Sequence, residues 1–191
     1  MSSSDPVTPA DAGARPSPLA TPGGAAALIA AIVVVDQWTK QLATTHLVPR
    51  HVPHPVLGDV LRFTLTFNPG AAFGMHLGDA SRWVFTILTL LILGFLVRLF
   101  RATPRTDTAL RLAVATVMGG AVGNLVDRLR SVEGVVDFID VGVGDVRFWT
   151  FNVADMAVSV GAVCLVFLLW RRDLHAAQAA QAAQARPARE S

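Results

Sequence analysis

Residues 109–129 read ALRLAVATVMGGAVGNLVDRL, and this stretch decides what kind of molecule the chain makes. It stays apolar long enough to cross a hydrocarbon core of ~30 Å as a helix. Gly119, Gly120 and Gly123 give it a small-xxx-small face on which a second helix can pack closely. Its end is different: Asn124, Asp127 and Arg128 bring an amide, a carboxylate and a guanidinium to one edge of the membrane. Three more spans lie outward from it. Trp83–Phe100 is almost wholly apolar, and Val153–Trp170 is apolar until it stops at Arg171-Arg172. Ala25–Val35 continues through Asp36-Gln37-Trp38-Thr39-Lys40 to Leu47 without a small-residue cleavage site, so it reads as a retained helix rather than a signal peptide.

The composition agrees with a chain dissolved in lipid. Of 191 residues, 52% are hydrophobic and 16% charged, against about 25% charged in soluble domains. The net charge of +2 comes from 15 Arg and one Lys, spread along the chain, which excludes a nucleic-acid binder. Cys164 is the single cysteine, so neither a disulfide framework nor a cysteine-based zinc site is available. The expected fold is an all-α membrane protein with four transmembrane helices.

Arginine placement orients it. Arg98, Arg101, Arg105 and Arg111 flank the connection between the second and third spans, and Arg171 and Arg172 end the fourth. The positive-inside rule then predicts that this connection and both termini are cytoplasmic. Segments 48–82 and 130–152 face outward. Residues 1–24, rich in Ser, Pro, Ala and Gly without apolar periodicity, are expected to be a disordered cytoplasmic head. Residues 25–172 form the membrane domain, and 173–191 a low-complexity cytoplasmic tail whose A-A-Q repeat, Ala176–Ala185, reads as a frayed helix. Within the outer segments, Val60–Phe67 alternates as a strand does. Val135–Val146 shows two apolar runs broken by Asp137, Asp140, Gly142 and Gly144. Together they predict a small extracytoplasmic β-sheet on the membrane surface.

An ionisable group at membrane depth costs at least ~2.5–3.5 kcal/mol, so each needs a reason. Asp36 and Lys40, spaced i,i+4, either neutralise one another as an anchor or support a nearby site. The ends of the third and fourth spans bring Asn124, Asp127, Arg128, Asn152 and Asp155 to one membrane face, with Asp137 in the connection between them. Singly, these have plainer readings. Asn152 and Asp155 form the pattern of a capping box, and Asp127 with Arg128 reads as an interfacial ion pair. Jointly, they suggest hydrolysis: two carboxylates sharing a proton supply a base for water and an acid for the leaving group. The five histidines are scattered, and no zinc-protease helix, phosphate loop or serine nucleophile pattern appears. A four-helix proton-coupled transporter is the alternative, but it calls for acids near the bilayer midplane rather than at one end.

Five motifs, in order, resemble those of lipoprotein signal peptidase (signal peptidase II), a family of bacterial intramembrane aspartic proteases. They are Val35–Lys40, Asn68-Pro69-Gly70-Ala71-Ala72-Phe73-Gly74, Gly119–Arg128, Val135-Val136-Asp137-Phe138 and Phe151-Asn152-Val153-Ala154-Asp155. The resemblance covers roughly residues 28–170. It implies a catalytic dyad of Asp137 and Asp155 near the outer membrane surface. It also implies substrate-binding roles for Asn68, Gly70, Ala71, Asn124, Arg128 and Asn152, and supporting roles for Asp36, Lys40 and Asp127. The implied substrate is a diacylglyceryl-modified prolipoprotein, met within the membrane lipid and cut on the amino side of its lipidated cysteine, with no cofactor or metal.

Overall fold

The computed structural model describes residues 17–70 and 80–185. Four helices are long and apolar enough to cross a membrane: α1 (Pro22–His46), α2 (Ser81–Ala102), α3 (Thr108–Arg130) and α4 (Val153–Ala185). Their starts follow local chemistry. Thr21 caps α1 by accepting from the Gly24 N–H, with Pro22 at the first helical position where its missing N–H costs nothing. Asp107 caps α3 through the Leu110 N–H.

Helix α3 is the centre of the bundle and touches each of the other three. It is mostly buried, whereas α1, α2 and α4 turn large apolar side chains outward, among them Val34, Leu91, Phe95 and Val163. A continuous apolar exterior of this size suits lipid and not water. Close approach of α3 to α4 depends on Gly120, where an added Cβ would collide with the Ala154 carbonyl oxygen. Leu96, Val114 and Val117 form the apolar packing further along the bundle.

Four strands make one antiparallel sheet in the order β1 (His54–Leu57), β2 (Leu61–Asn68), β3 (Val135–Val143) and β4 (Val146–Arg147). Leu65, Val136 and Phe138 pack with Ala43 of α1, which seats the sheet on the bundle. The β2–β3 register pairs Thr66 with Asp137 and Asn68 with Val135. Asp137 is thereby carried on a strand held against the ends of α1 and α3.

Two details depart from the sequence expectations. Residues 17–24 are ordered rather than part of a disordered head: Pro18–Ala20 form a 3-10 turn and α1 begins at Pro22, because Ser17, Thr21 and the prolines supply caps. Residues 1–16 lie outside the described residues. In the outer region β3 is unbroken, and Asp137 and Asp140 sit inside it because each finds buried partners. Asp140 takes bonds from Arg62, Thr64 and Arg147. The helix expected over Ala176–Ala185 is present and is continuous with the fourth span: beyond Trp170, α4 runs through the A-A-Q repeat as far as Ala185, with the side chains of 171–182 exposed. Ala and Gln are good helix formers and need no packing to hold the phi and psi angles.

Candidate active site

Asp36 enters the bundle from the middle of α1 and is fully buried. One carboxylate oxygen accepts from the backbone N–H of Ala154 at 2.8 Å, in the first turn of α4, where the helix dipole favours a negative charge. The other takes Lys40 Nζ at 2.8 Å, so the i,i+4 pair read from the sequence is formed. Gly123 makes the approach possible, since a Cβ there would lie 2.7 Å from Asp36 Oδ2.

Lys40 is the hub of this layer. Its ammonium also reaches Asp127 Oδ2 at 2.7 Å and Asn124 Oδ1 at 2.9 Å. Asp127 accepts in addition from Gln37 Nε2 at 2.8 Å and from the Val136 N–H at 3.3 Å. The ion pair expected between Asp127 and Arg128 is not formed among the described residues. Neighbours on a helix point about 100° apart, so Asp127 faces α1 while Arg128 faces α2, its guanidinium 5.8 Å from the Phe85 ring. Gln37 is a functional neighbour that the sequence reading misses: its bonds to Asp36, Gly123 and Asp127 make it a second link between α1 and α3. Its position beside a carboxylate at membrane depth was the available signal.

Above this layer the two remaining carboxylates meet around Asn152, which is fully buried. Asn152 Oδ1 accepts from the Asp155 N–H at 2.8 Å, and Asp155 Oδ2 accepts from the Asn152 N–H at 3.2 Å. The capping box therefore exists. Asn152 Nδ2 also donates to Asp137 Oδ1 at 2.7 Å, while Asn124 Nδ2 donates to Asp155 Oδ1 at 2.7 Å. Asp155 is half-buried, so its capping bond leaves part of the carboxyl accessible. Asn68 hydrogen-bonds Asp137 and folds its own Oδ1 back onto the Gly70 N–H at 3.0 Å. Ala71 lies outside the described residues.

The electrostatics separate Asp137 from an ordinary carboxylate. Burial and, second, the charge of Asp155 push it from 3.8 up to about 7, against weaker opposing pulls from Asn152, Lys40 and Asn68. Arg128 lies within electrostatic reach of Asp155, Asp137 and Asp127, and its buried Nε has no hydrogen-bond partner among the described residues. With Asp36, Asp127, Asp137 and Asp155 against Lys40 and Arg128, acids outnumber cations in the cluster, and a proton kept by one acid reduces that excess of negative charge. An arrangement of one protonated and one ionised carboxyl bridged by an amide can do acid–base chemistry on a water molecule.

Comparison with known proteins converges on one family. Residues 28–171 match the family model for signal peptidase (SPase) II, peptidase family A8. The lipoprotein signal peptidase of Hydrogenovibrio crunogenus is 37% identical over 155 residues, covering 78% of this chain and 86% of that protein. That of Acinetobacter baumannii is 42% identical over 137 residues, covering 70% and 76%. Among solved structures, a bacterial membrane enzyme determined by the in meso method at 2.3 Å superposes with a TM-score of 0.70 at 30% identity, covering 78% of this chain and 89% of that one. All of α2 and α3, most of α1, the first half of α4 and the whole polar cluster fall within the matched region, and the chain belongs to the signal peptidase II family of multi-pass bacterial inner-membrane aspartic proteases, which remove signal peptides from lipoproteins.

Proposed function

We propose that Asp137 and Asp155 are the catalytic dyad and that the substrate is a prolipoprotein whose cysteine already carries diacylglycerol, cut on the amino side of that cysteine. One observation carries this reading: Asn152 binds both carboxyls while Asp137 is raised to about 7. At neutral pH the pair then holds one proton, and Asp137, the more deeply buried, is its favoured site. The ionised partner takes a proton from water as that water attacks the scissile carbonyl. The protonated partner donates first to the carbonyl oxygen and then, after exchange, a proton goes to the departing amine of the cysteine. Asn68, Gly70, Asn124, Arg128 and Asn152 would hold the substrate and the dyad in register. Asp36, Lys40 and Asp127 form the rigid floor beneath.

The same reading places the site near the outer face with both termini in the cytoplasm, on the arginine distribution. Reporter fusions at Ser191 and in the 105–107 loop should both report cytoplasm.

The decisive experiment compares Asp137→Asn, Asp155→Asn and the double variant on a lipid-modified prolipoprotein. Residues acting as one unit are strongly non-additive, so all three should fall to the same background while the protein stays folded in the membrane. Asn at 155 can still cap α4, so a purely structural role predicts near-normal cleavage by Asp155→Asn. Retained turnover in either single variant removes that residue from the mechanism.

A further inference from the structure

At the opposite end of the bundle from the carboxylates, a cavity of ≈ 520 Å³ opens between the start of α1, the end of α2 and the start of α3. Its walls divide by chemistry. Ala25, Ala26, Ile29, Val97, Phe100 and Met118 form an apolar slot, and Arg101, Arg105 and Arg111 line it together with the short α2–α3 turn. Among the described residues no acidic side chain lines the cavity, and none of the three arginines forms a salt bridge.

Arg111 is built in rather than incidental. It is 4% exposed and lies 3.8 Å over the Phe100 ring. Its Nε donates to the Ala20 carbonyl and its Nη1 to those of Phe100 and Thr103, so it ties α1, α2 and α3 together through neutral acceptors. Its Nη2 makes no hydrogen bond among the described residues. A buried cation satisfied only by carbonyls, with two exposed cations beside it, leaves a site short of negative charge. Ile29 lies about 10 Å along α1 from Pro22, and Met118 about 15 Å along α3 from Thr108, at 1.5 Å per residue. The slot thus runs from the helix ends into the hydrocarbon region.

We propose that this cavity binds an anionic phospholipid, with the phosphate held by Arg101, Arg105 and Arg111 Nη2 and an acyl chain lying along Ile29, Val97 and Met118. Charge selects the headgroup, and the apolar slot distinguishes a lipid from a free anion. The proposal is independent of the catalytic assignment, since no residue is shared between the two sites.

The test is native mass spectrometry of the full chain in mild detergent, titrated with phosphatidylglycerol and with phosphatidylcholine of the same chains. Phosphatidylglycerol should bind preferentially. Arg101→Gln/Arg105→Gln, at exposed positions that do not carry the fold, should weaken it by about thirtyfold at low salt, from roughly 1 kcal/mol per arginine. Ala26→Phe, which fills the slot, should weaken both lipids while leaving the unfolding transition in place. Equal affinity for the two lipids overturns the proposal, as does unchanged phosphatidylglycerol binding in the double variant. Full competition by glycerol phosphate at equal concentration makes the site an anion site and also overturns it. So does a photo-reactive side chain placed at Ala26 that cross-links to residues 1–16 of the same chain instead of to lipid.

Discussion

Asp137→Asn should make the protein more stable above neutral pH while abolishing its activity. In the folded chain Asp137 titrates near 7, against 3.8 for an ordinary carboxyl. Between those values the folded state keeps a proton that the unfolded state releases, so stability falls as pH rises through this window and levels off above about 7. At 1.36 kcal/mol per pKa unit, the gap amounts to roughly 4 kcal/mol. An Asn at 137 carries no charge at any pH, and its carbonyl can still accept from Asn152 Nδ2, which now reaches Asp137 Oδ1 at 2.7 Å. Below pH 4 the two proteins should therefore match, and at pH 8 the variant should be the more stable by up to about 4 kcal/mol. Tryptophan fluorescence during denaturant unfolding in a fixed detergent, from pH 4 to pH 9, reads this directly. A variant that is less stable at pH 8, or that keeps the parent's pH slope, refutes the assignment of the raised carboxyl to Asp137.

Lys40→Met leaves Asp36 and Asp127 buried without their cation, and should cost about 3–5 kcal/mol in the same unfolding assay. Adding Asp36→Asn should recover part of that loss, so a double variant no more stable than Lys40→Met counts against the charge argument. Gly123→Ala drives a methyl group to 2.7 Å from Asp36 Oδ2 and should destabilise by about 1–3 kcal/mol, with cleavage reduced as α4 shifts. Asp140 is buried, which alone would raise it, but hydrogen bonds from Arg147, Thr64 and Arg62 outweigh this and hold it below 3.8. Its contribution to stability is therefore present above that value and lost as pH falls below it. Asp140→Asn should remove that acid-side loss and leave the slope between 4 and 7 untouched.

The helices were legible because length and apolarity suffice for a bilayer span, and α1–α3 begin and end within three residues of the apolar stretches. What apolarity does not disclose is rank: α3 has the most polar residues at its end yet is the buried centre, and only its glycines hint at that. Alternation marked β2, whereas β1 was hidden by Pro53 and Pro55, which read as loop and are tolerated here at a sheet edge. The acids at 137 and 140 looked like breaks in a strand because their partners, Asn152 and Arg62, lie 15 and 78 residues away. The same distance effect misplaced Asp127, whose adjacent arginine is a sequence neighbour and whose true counter-ion, Lys40, comes from another helix. The candidate carboxylates could be gathered from the sequence to one membrane face. Their pairing could not, because it depends on which way each side chain leaves its helix.

The two amides between Lys40 and the carboxylates have a handedness of their own. An ammonium can only donate, so Asn124 must turn its oxygen toward Lys40, and its NH2 is left to face Asp155. That same oxygen draws in the NH2 of Asn152, which continues on to Asp137. Every dipole in the relay therefore runs one way, and neither amide can flip without setting oxygen against oxygen. A lysine on the first helix thus dictates, across two side chains and without touching either proposed catalytic acid, that both are met by hydrogen and never by a lone pair. Replacing either asparagine by aspartate would preserve shape but erase that sense of direction, which makes Asn124→Asp and Asn152→Asp harsher changes than their size suggests.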